Sequence, residues 1–267
     1  MEFTVVILAL NHGPLTRECV TILRTNASNP IHVLILDNGS TPEHASILQE
    51  LADTYVALPT NVGVIPAMNV AWPLVTTPYV AFIHNDLMIL EPDWDLRLNH
   101  VLQTVDHCGV VGVGGGSGVT TNGLRFNFIS NMVNAEQHGS RLTVDHLPAV
   151  VEDGMCLVVA VKLLQELGGI GVDYKIHHFY DLDICLEAIY HGYKVLTLGL
   201  LVDHLGGETS VREDYNKFLT SVDSNDLKIH AVNMERFDAK WSTRFPIHVD
   251  ANFNYTDKLG TIREVVL

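Results

Sequence analysis

The chain has 267 residues, 47% of them hydrophobic and 18% charged, which excludes a disordered, collagen-like or low-complexity protein. Sixteen lysines and arginines stand against 31 acidic residues, and the resulting net charge of −15 argues against tight non-specific binding to a phosphate backbone. No apolar run reaches the about 18 residues of a membrane span, and the widely spaced Cys19, Cys108, Cys156 and Cys185 form no C-x-x-C, so a reduced, cytoplasmic protein without an integral membrane segment is expected.

The opening MEFTVVILALNHG has no basic stretch and no small-residue cleavage site, so it reads as a strand rather than a signal peptide. Apolar runs of strand length recur at Thr4–Leu10, Ile31–Leu36, Thr54–Leu58, Tyr79–Ile83 and Gly109–Val113. Helix-length segments lie between them at Leu15–Thr25, Pro42–Ala52, Ile65–Val75 and Trp94–Val105. Runs that are apolar throughout mark strands buried on both faces. Their alternation with helices predicts an α/β fold with a mostly parallel central sheet flanked by helices. Three strands end in the polar turns Asn11-His12-Gly13-Pro14, Asp37-Asn38-Gly39-Ser40-Thr41-Pro42 and His84-Asn85-Asp86. Ligands of such sheets bind at the carboxyl ends of strands, so these turns are expected to line one crevice.

The second half is less regular. Gly112–Gly123 reads as a glycine-rich loop, and Val119–Pro148 gives no clear pattern. Val150–Val161 is apolar around Gly154, Lys162–Leu167 is a short helix closed by Gly168-Gly169, and Asp181–His191 is a helix stopped by Gly192. Tyr193–Val202 reads as a strand and Asn233–Trp241 as a helix. No linker or internal repeat interrupts the chain, so one domain over residues 1–267 is expected.

Several residues carry chemistry. Asp37, at a strand end, can accept hydrogen bonds from a nucleobase or ribose, although DNGS also reads as a capped turn. Asp86 can hold a hard divalent cation at the sheet edge, or His84-Asn85-Asp86 is simply a polar turn. The run Gly112-Val113-Gly114-Gly115-Gly116-Ser117-Gly118 fails the dinucleotide fingerprint, because the sixth position is Ser117 or Val119 and no helix follows. A NAD-dependent oxidoreductase is thereby discounted. Asp181 and Asp183 are two apart and face different sides of their helix. Asp183 suits the helix dipole, whereas Asp181 at the turn suits a cleft-facing base. His177, His178 and His204 are candidate metal ligands, the last at a strand end, although a lone histidine is more often an ordinary surface or core residue.

Taken in order, these segments resemble the GT-A glycosyltransferases of family 2, and most closely their rhamnosyltransferase-like branch. The likeness spans about residues 3–241. Ala9, Leu10 and Asn11 stand where the family commonly shows Thr-Tyr-Asn, and ILDNGSTP is close to its V-D-N-G-S-T-D. NVGVIPAMNVA matches N-x-G-x-x-x-A-x-N-x-G at Asn61, Gly63, Ala67 and Asn69, with Ala71 in place of the last glycine. FIHNDLMI occupies the place of the D-x-D or N-x-D metal motif, and EDGMCLVVAVKLLQELGGIGVD parallels the region that holds Gly154, Met155, Gly168, Gly169 and Asp173. HFYDLDICLEAIYHGYKV is similar to Y-E-D-V-D-L-C-L-R-x-x-x-x-G-Y-K, VDHLGGETS to V-x-H-x-x-G-x-S, and RFDAKW to the closing F-x-x-K-W. The sequence departs from the pattern at Leu10, His84 and Tyr180.

The resemblance implies a GT-A fold and an inverting transfer of a sugar from a nucleotide-diphosphate donor to an acceptor hydroxyl. It makes Asp181 the catalytic base and places Ala9, Asn11, Asp37, Asn61, Asn85 and Asp86 at the donor. Asp86, with help from His204, would bind Mn2+ or Mg2+. Gly154, His177, His178 and Asp183 fall on the acceptor side. Residues 1–115 would form the nucleotide-sugar half, and residues 116–267 the acceptor and catalytic-base half. The Gly112–Gly118 loop is expected to close over the sugar. The acceptor class (glycan, lipid-linked sugar, small molecule or modified nucleobase), the donor and the oligomeric state are not specified by the sequence. The departures at His84 and Tyr180 keep a second reading open, a catalytically degenerate nucleotide-sugar-binding scaffold. A nucleotidyltransferase would need a basic glycine-rich loop after the first strand, and Asn11–Arg17 supplies only Arg17.

Overall fold

The computed structural model describes residues 1–133, 140–206 and 213–262. In chain order the first half runs β1 (Phe3–Ala9), α1 (Gly13–Thr25), β2 (Val33–Asp37), α2 (Pro42–Leu51), β3 (Thr54–Ala57), α3 (Val64–Ala71), β4 (Tyr79–His84), β5 (Leu87–Ile89), α4 (Trp94–Thr104) and β6 (Cys108–Gly112). It continues through β7 (Gly114–Val119), β8 (Arg125–Met132), β9 (His146–Pro148), β10 (Val151–Glu152), β11 (Cys156–Ala160), α5 (Val161–Leu167) and α6 (Tyr180–Tyr190). β12 (Lys194–Leu198), β13 (Leu201–His204), α7 (Glu213–Ser221), α8 (Asp226–Trp241), β14 (Ile247–Val249), β15 (Tyr255–Asp257) and β16 (Gly260–Thr261) complete it.

The central sheet has the order β3-β2-β1-β4-β11-β6-β12-β9. Strands β3, β2, β1 and β4 are mutually parallel, as are β6 and β12, whereas β11 and β9 run against their neighbours. Alternate residues of β1 feed the two cores. Val6 packs with Leu34, Leu36 and Phe82 on one face, while Val5 and Ile7 pack with Val33, Ile35 and Ile83 on the other. Burial on both faces is why these strands are apolar at every position rather than at every second one. Helix α1 turns Thr16, Cys19, Val20 and Leu23 inward, a spacing that puts them on one helical face. A second sheet has the path β16-β15-β14-β7-β8-β13-β5, with β10 paired to β7. No helix among the described residues is long and apolar enough to cross a membrane.

The glycine-rich segment is a strand, which corrects the expected flexible loop. Gly114, Gly115 and Gly116 are buried in β7 between β8 and β10. A Cβ on Gly115 would lie 2.0 Å from Oε1 of Glu152, and one on Gly112 would lie 2.1 Å from Oε2 of the same residue. A Cβ on Gly118 would meet the Phe126 ring at 2.0 Å. The glycines therefore make room for neighbouring side chains instead of supplying mobility, and no closure over a sugar follows from them. Glu152 is fully buried, accepts the Thr197 hydroxyl at 2.5 Å, and has its pKa pushed well above the ordinary range by burial. Gly115→Ala is expected to destabilise the fold by about 1–3 kcal/mol, the usual range for overpacking. Thermal denaturation should show it as a lower Tm.

Two boundaries differ from the sequence reading. The strand expected over Tyr193–Val202 breaks at Gly199-Leu200 into β12 and β13, which belong to different sheets. The last helix starts earlier, at Asp226, because the Asn225 side chain caps it by accepting Lys228 N at 2.9 Å.

Candidate active site

A cleft of about 590 Å³ opens between the carboxyl end of β4 and the start of α6, a size suited to a small-molecule ligand. One wall is the β4–β5 turn. Helix α1 fixes it from below: Cys19 Sγ donates to Leu87 O at 3.3 Å, and Asn85 Nδ2 donates to Thr16 Oγ1 at 3.1 Å. Pairing of β5 with β13 sets His204 opposite Leu87, next to Asp86. As a result His204 Nε2 lies 3.3 Å, and His84 Nδ1 3.9 Å, from Oδ1 of Asp86. The three ligand atoms fall within 4.8 Å of one another.

Asp86 is buried, which opposes ionisation, but its contacts with His204 and His84 outweigh that and hold its carboxyl below the ordinary carboxylate range. His204 Nε2 is buried and makes no aligned hydrogen bond among the described residues. An ionised carboxylate beside two imidazole nitrogens, one of them unserved, fits a divalent cation.

The first turn of α6 also lines the cleft. Asp181 Oδ2 accepts Gly154 N at 3.2 Å. Desolvation in the cleft raises the pKa of Asp181 above the ordinary range; Arg125 counteracts the rise and Asp153 adds to it. Arg125 and Asp153 form an ion pair of 3.0 Å. The charge of Asp153 also acts on His84 and His204, so the pair links them to Asp181 electrostatically. Arg125 is the one arginine or lysine among the described residues lining the cleft.

Neither Arg125 nor Asp153 emerges from the sequence as a site residue. Asp153 carried a signal, a carboxylate directly before Gly154; Arg125, alone in VTTNGLRF, carried none until β8 is folded against the cleft. The pair makes a pH prediction. A reaction that used Asp181 as its base would need it ionised, so its kcat/KM would fall on the acid side of a pKa raised above that of an ordinary aspartate. Arg125→Met removes the cation that favours the carboxylate, so this acid limb should move to higher pH. A pH–rate profile of the two proteins checks it.

The structure brings His84, Asn85, Asp86, Gly154, His177, His178, Asp181 and His204 to this one cleft. Gly154 is small because Tyr180 lies over it: a Cβ there would sit 2.6 Å from the Tyr180 hydroxyl. Asp183, expected on the acceptor side, faces away. It is buried and receives hydrogen bonds from Lys240 Nζ at 2.9 Å, Trp241 Nε1 at 2.7 Å and Tyr174 Oη at 2.9 Å, so it joins α6 to α8.

Ala9, Asn11, Asp37 and Asn61 lie together at the ends of β1 and β2, beside the cleft rather than lining it. Asp37 accepts Ser40 N at 2.8 Å and the Tyr55 hydroxyl at 2.6 Å. Asn11 accepts Thr41 N at 2.9 Å and donates to Asp214 of α7 at 2.5 Å, while Asn61 accepts Asn38 Nδ2 at 2.9 Å. The expected single crevice is thus divided: the third turn lines the cleft, and the first two adjoin it. The end of the VDHLGGETS segment, from residue 207, lies outside the described residues.

Solved structures share this architecture. A mannosyltransferase from Pyrobaculum calidifontis in complex with GDP-Man and Mn2+ superimposes with a TM-score of 0.58 at 18% identity, over 88% of this chain and 64% of its own. GalNAc-T7 with UDP, GalNAc and Mn2+ gives 0.59 at 13% identity, over 83% of this chain and 48% of its own. TarS 1-349 of S. aureus in complex with UDP-GlcNAc gives 0.55 at 16% identity, over 91% and 73%. The chain spans less than two thirds of the length of the first two. No curated protein matches it significantly. The fold is the GT-A fold of glycosyltransferases. The chain belongs to glycosyl transferase family 2, whose model matches residues 4–166.

Proposed function

We propose that the protein moves a sugar from a nucleotide-diphosphate donor to an acceptor hydroxyl with inversion at the anomeric carbon. The observation that carries this reading is that Asp181 and the His84–Asp86–His204 cluster line one cleft. Inversion requires the acceptor oxygen to attack from the side opposite the leaving group, so in this reading Asp181 serves the acceptor and the cluster serves the diphosphate. Asp181 takes the acceptor proton as the new bond forms, and its raised pKa makes it a stronger base than an exposed aspartate. Arg125 and Asp153 tune that pKa. His84, Asp86 and His204 would hold a divalent ion; two imidazoles with one carboxylate favour Mn2+ over Mg2+. Such an ion supplies positive charge that stabilises the departing diphosphate.

In this reading Ala9, Asn11, Asp37, Asn61 and Asn85 receive the nucleoside, and its entry replaces the Asn11–Asp214 contact. Gly154, His177 and His178 lie toward the acceptor. Residues 1–115 supply the donor side and residues 116–267 the base, as one catalytic domain. Four buried free thiols fit a reducing, cytoplasmic setting. The motif pattern supports the rhamnosyltransferase-like branch. The GDP- and UDP-linked ligands of the structural neighbours make those donors the first to test beside dTDP-sugars.

A thermal-shift screen of UDP-, GDP- and dTDP-sugars with and without Mn2+ tests the reading. A ligand that binds only the folded state raises Tm, so one nucleotide should give a Mn2+-dependent rise. No rise with any donor at millimolar concentration overturns the donor site. Binding without transfer or hydrolysis supports the scaffold reading instead.

A further inference from the structure

A second set of ligand-type side chains lies in the same cleft, and the reaction above gives it no chemical step. His177 Nε2 and His178 Nε2 stand 3.3 and 3.2 Å from one oxygen, Oδ1 of Asp226. The three ligand atoms lie within 4.8 Å of one another. The two imidazole rings lie tilted by 31° to one another, with centroids 4.0 Å apart.

Adjacent residues in ordinary backbone do not aim side chains at one point. Here the backbone is forced. Ile176, His178 and Phe179 have φ of 58°, 71° and 65°, in the left-handed region that side chains other than glycine rarely enter. A clamp holds the loop in place. Asn233 of α8, fully buried, accepts Lys175 N at 3.0 Å and donates to the carbonyls of Lys175 at 2.8 Å and His177 at 2.5 Å. Ile65 N adds a hydrogen bond to Ile176 O at 2.8 Å. Strain that is held in this way gathers at functional sites.

His178 Nε2 shares a hydrogen bond of 3.2 Å with Asp226 Oδ1, whereas His177 Nε2 faces two partners at once. Tyr215 Oη lies 2.6 Å from His177 Nε2. If the phenol donates, that nitrogen carries no proton and faces the Asp226 oxygen lone pair to lone pair. If the imidazole donates to the phenol, the hydrogen that could serve Asp226 is spent on Tyr215. A cation between the three ligand atoms resolves the conflict and displaces the phenol. His230 backs the site, its ring edge packed on His178 with centroids 5.1 Å apart.

We propose that His177, His178 and Asp226 form a second metal site, separate from His84–Asp86–His204, for a divalent transition metal that prefers imidazole, of which Zn2+ is the type. An ion there ties the loop at residues 175–179 to the first residue of α8. That loop leads directly into Asp181, so the site braces the turn that presents it; this role rests on the reading of Asp181 as the base, whereas the site itself does not.

Zn2+ titration followed by calorimetry tests the site on the whole chain, using wild type, Asp86→Ala, Asp226→Asn and the double variant. Asp226 is half-exposed, so Asp226→Asn is expected to keep the fold, and circular dichroism of each variant checks this. We expect one equivalent bound by each single variant and none by the double. Zn2+ should raise the Tm of Asp86→Ala and leave that of the double variant unchanged. Equal binding by Asp86→Ala and the double variant, or none by Asp86→Ala, overturns the second site. Binding lost in Asp226→Asn but retained in full by Asp86→Ala supports the second site and removes the first as a metal centre.

Discussion

Asp181→Asn is expected to lower the rate of sugar transfer by about 10²- to 10⁴-fold, the usual contribution of a positioned general base, with donor affinity unchanged. The amide keeps an oxygen for Gly154 N, so the local geometry survives. The variant should also melt no lower than wild type at neutral pH. Enclosure raises the folded-state pKa of Asp181 above its unfolded value. Between the two values the folded chain binds a proton that the unfolded chain has released, so raising the pH through that window removes stability, and the loss persists at higher pH. Asparagine carries no charge and escapes the loss. Single-turnover transfer, donor calorimetry and a melting curve together decide the matter. Full activity in the variant removes Asp181 as the base, and joint loss of donor binding and Tm reduces it to a structural residue.

The core of the sheet could be read directly from the sequence because one physical rule governs it. Strands buried on both faces must be apolar at every position, and Val5, Val6 and Ile7 in β1 and Val33, Leu34 and Ile35 in β2 obey it. The glycine strand β7 was hidden for the opposite reason. Its residues contribute no hydrophobic pattern, because the volume above Gly115 and Gly118 belongs to Glu152 and Phe126 from other strands. Nothing local announces a space that a distant residue will fill.

The site divides along the same line. Asp86 and Asp181 stand at ends of regular elements, where position along the chain fixes position in the cleft. His204 is brought to Asp86 by the register of β13 on β5, which the sequence marks only as a strand end. Arg125 reaches Asp181 across the sheet boundary, and Asp226 meets His177 through the start of α8; neither neighbour is close in sequence. Asp183 shows the converse error. A carboxylate two residues from Asp181 suggests a shared role, but helical geometry turns it to Lys240 and Trp241.

Asp86→Ala is expected to remove Mn2+ dependence and to reduce transfer by at least about a thousandfold, equivalent to about 4 kcal/mol of transition-state stabilisation. The argument rests on charge. Departure of a nucleoside diphosphate leaves negative charge at the cleft wall, and the chain's net charge of −15 offers no general compensation. Arg125 cannot supply it freely, because it is paired with Asp153 at 3.0 Å and faces Asp181. The charge is instead assigned to the cluster at Asp86, whose carboxyl is held ionised despite burial. Removing that carboxylate leaves two imidazoles, a weaker and less anionic ligand set. Donor affinity measured with Mn2+ should fall with the rate, whereas affinity measured in EDTA should match that of wild type. Retention of Mn2+-dependent donor binding by the variant places the ion elsewhere. A rate that falls with no change in Mn2+ binding makes Asp86 a positioning residue instead. His204→Ala, which takes away a nitrogen but no charge, should show a smaller loss in the same assays.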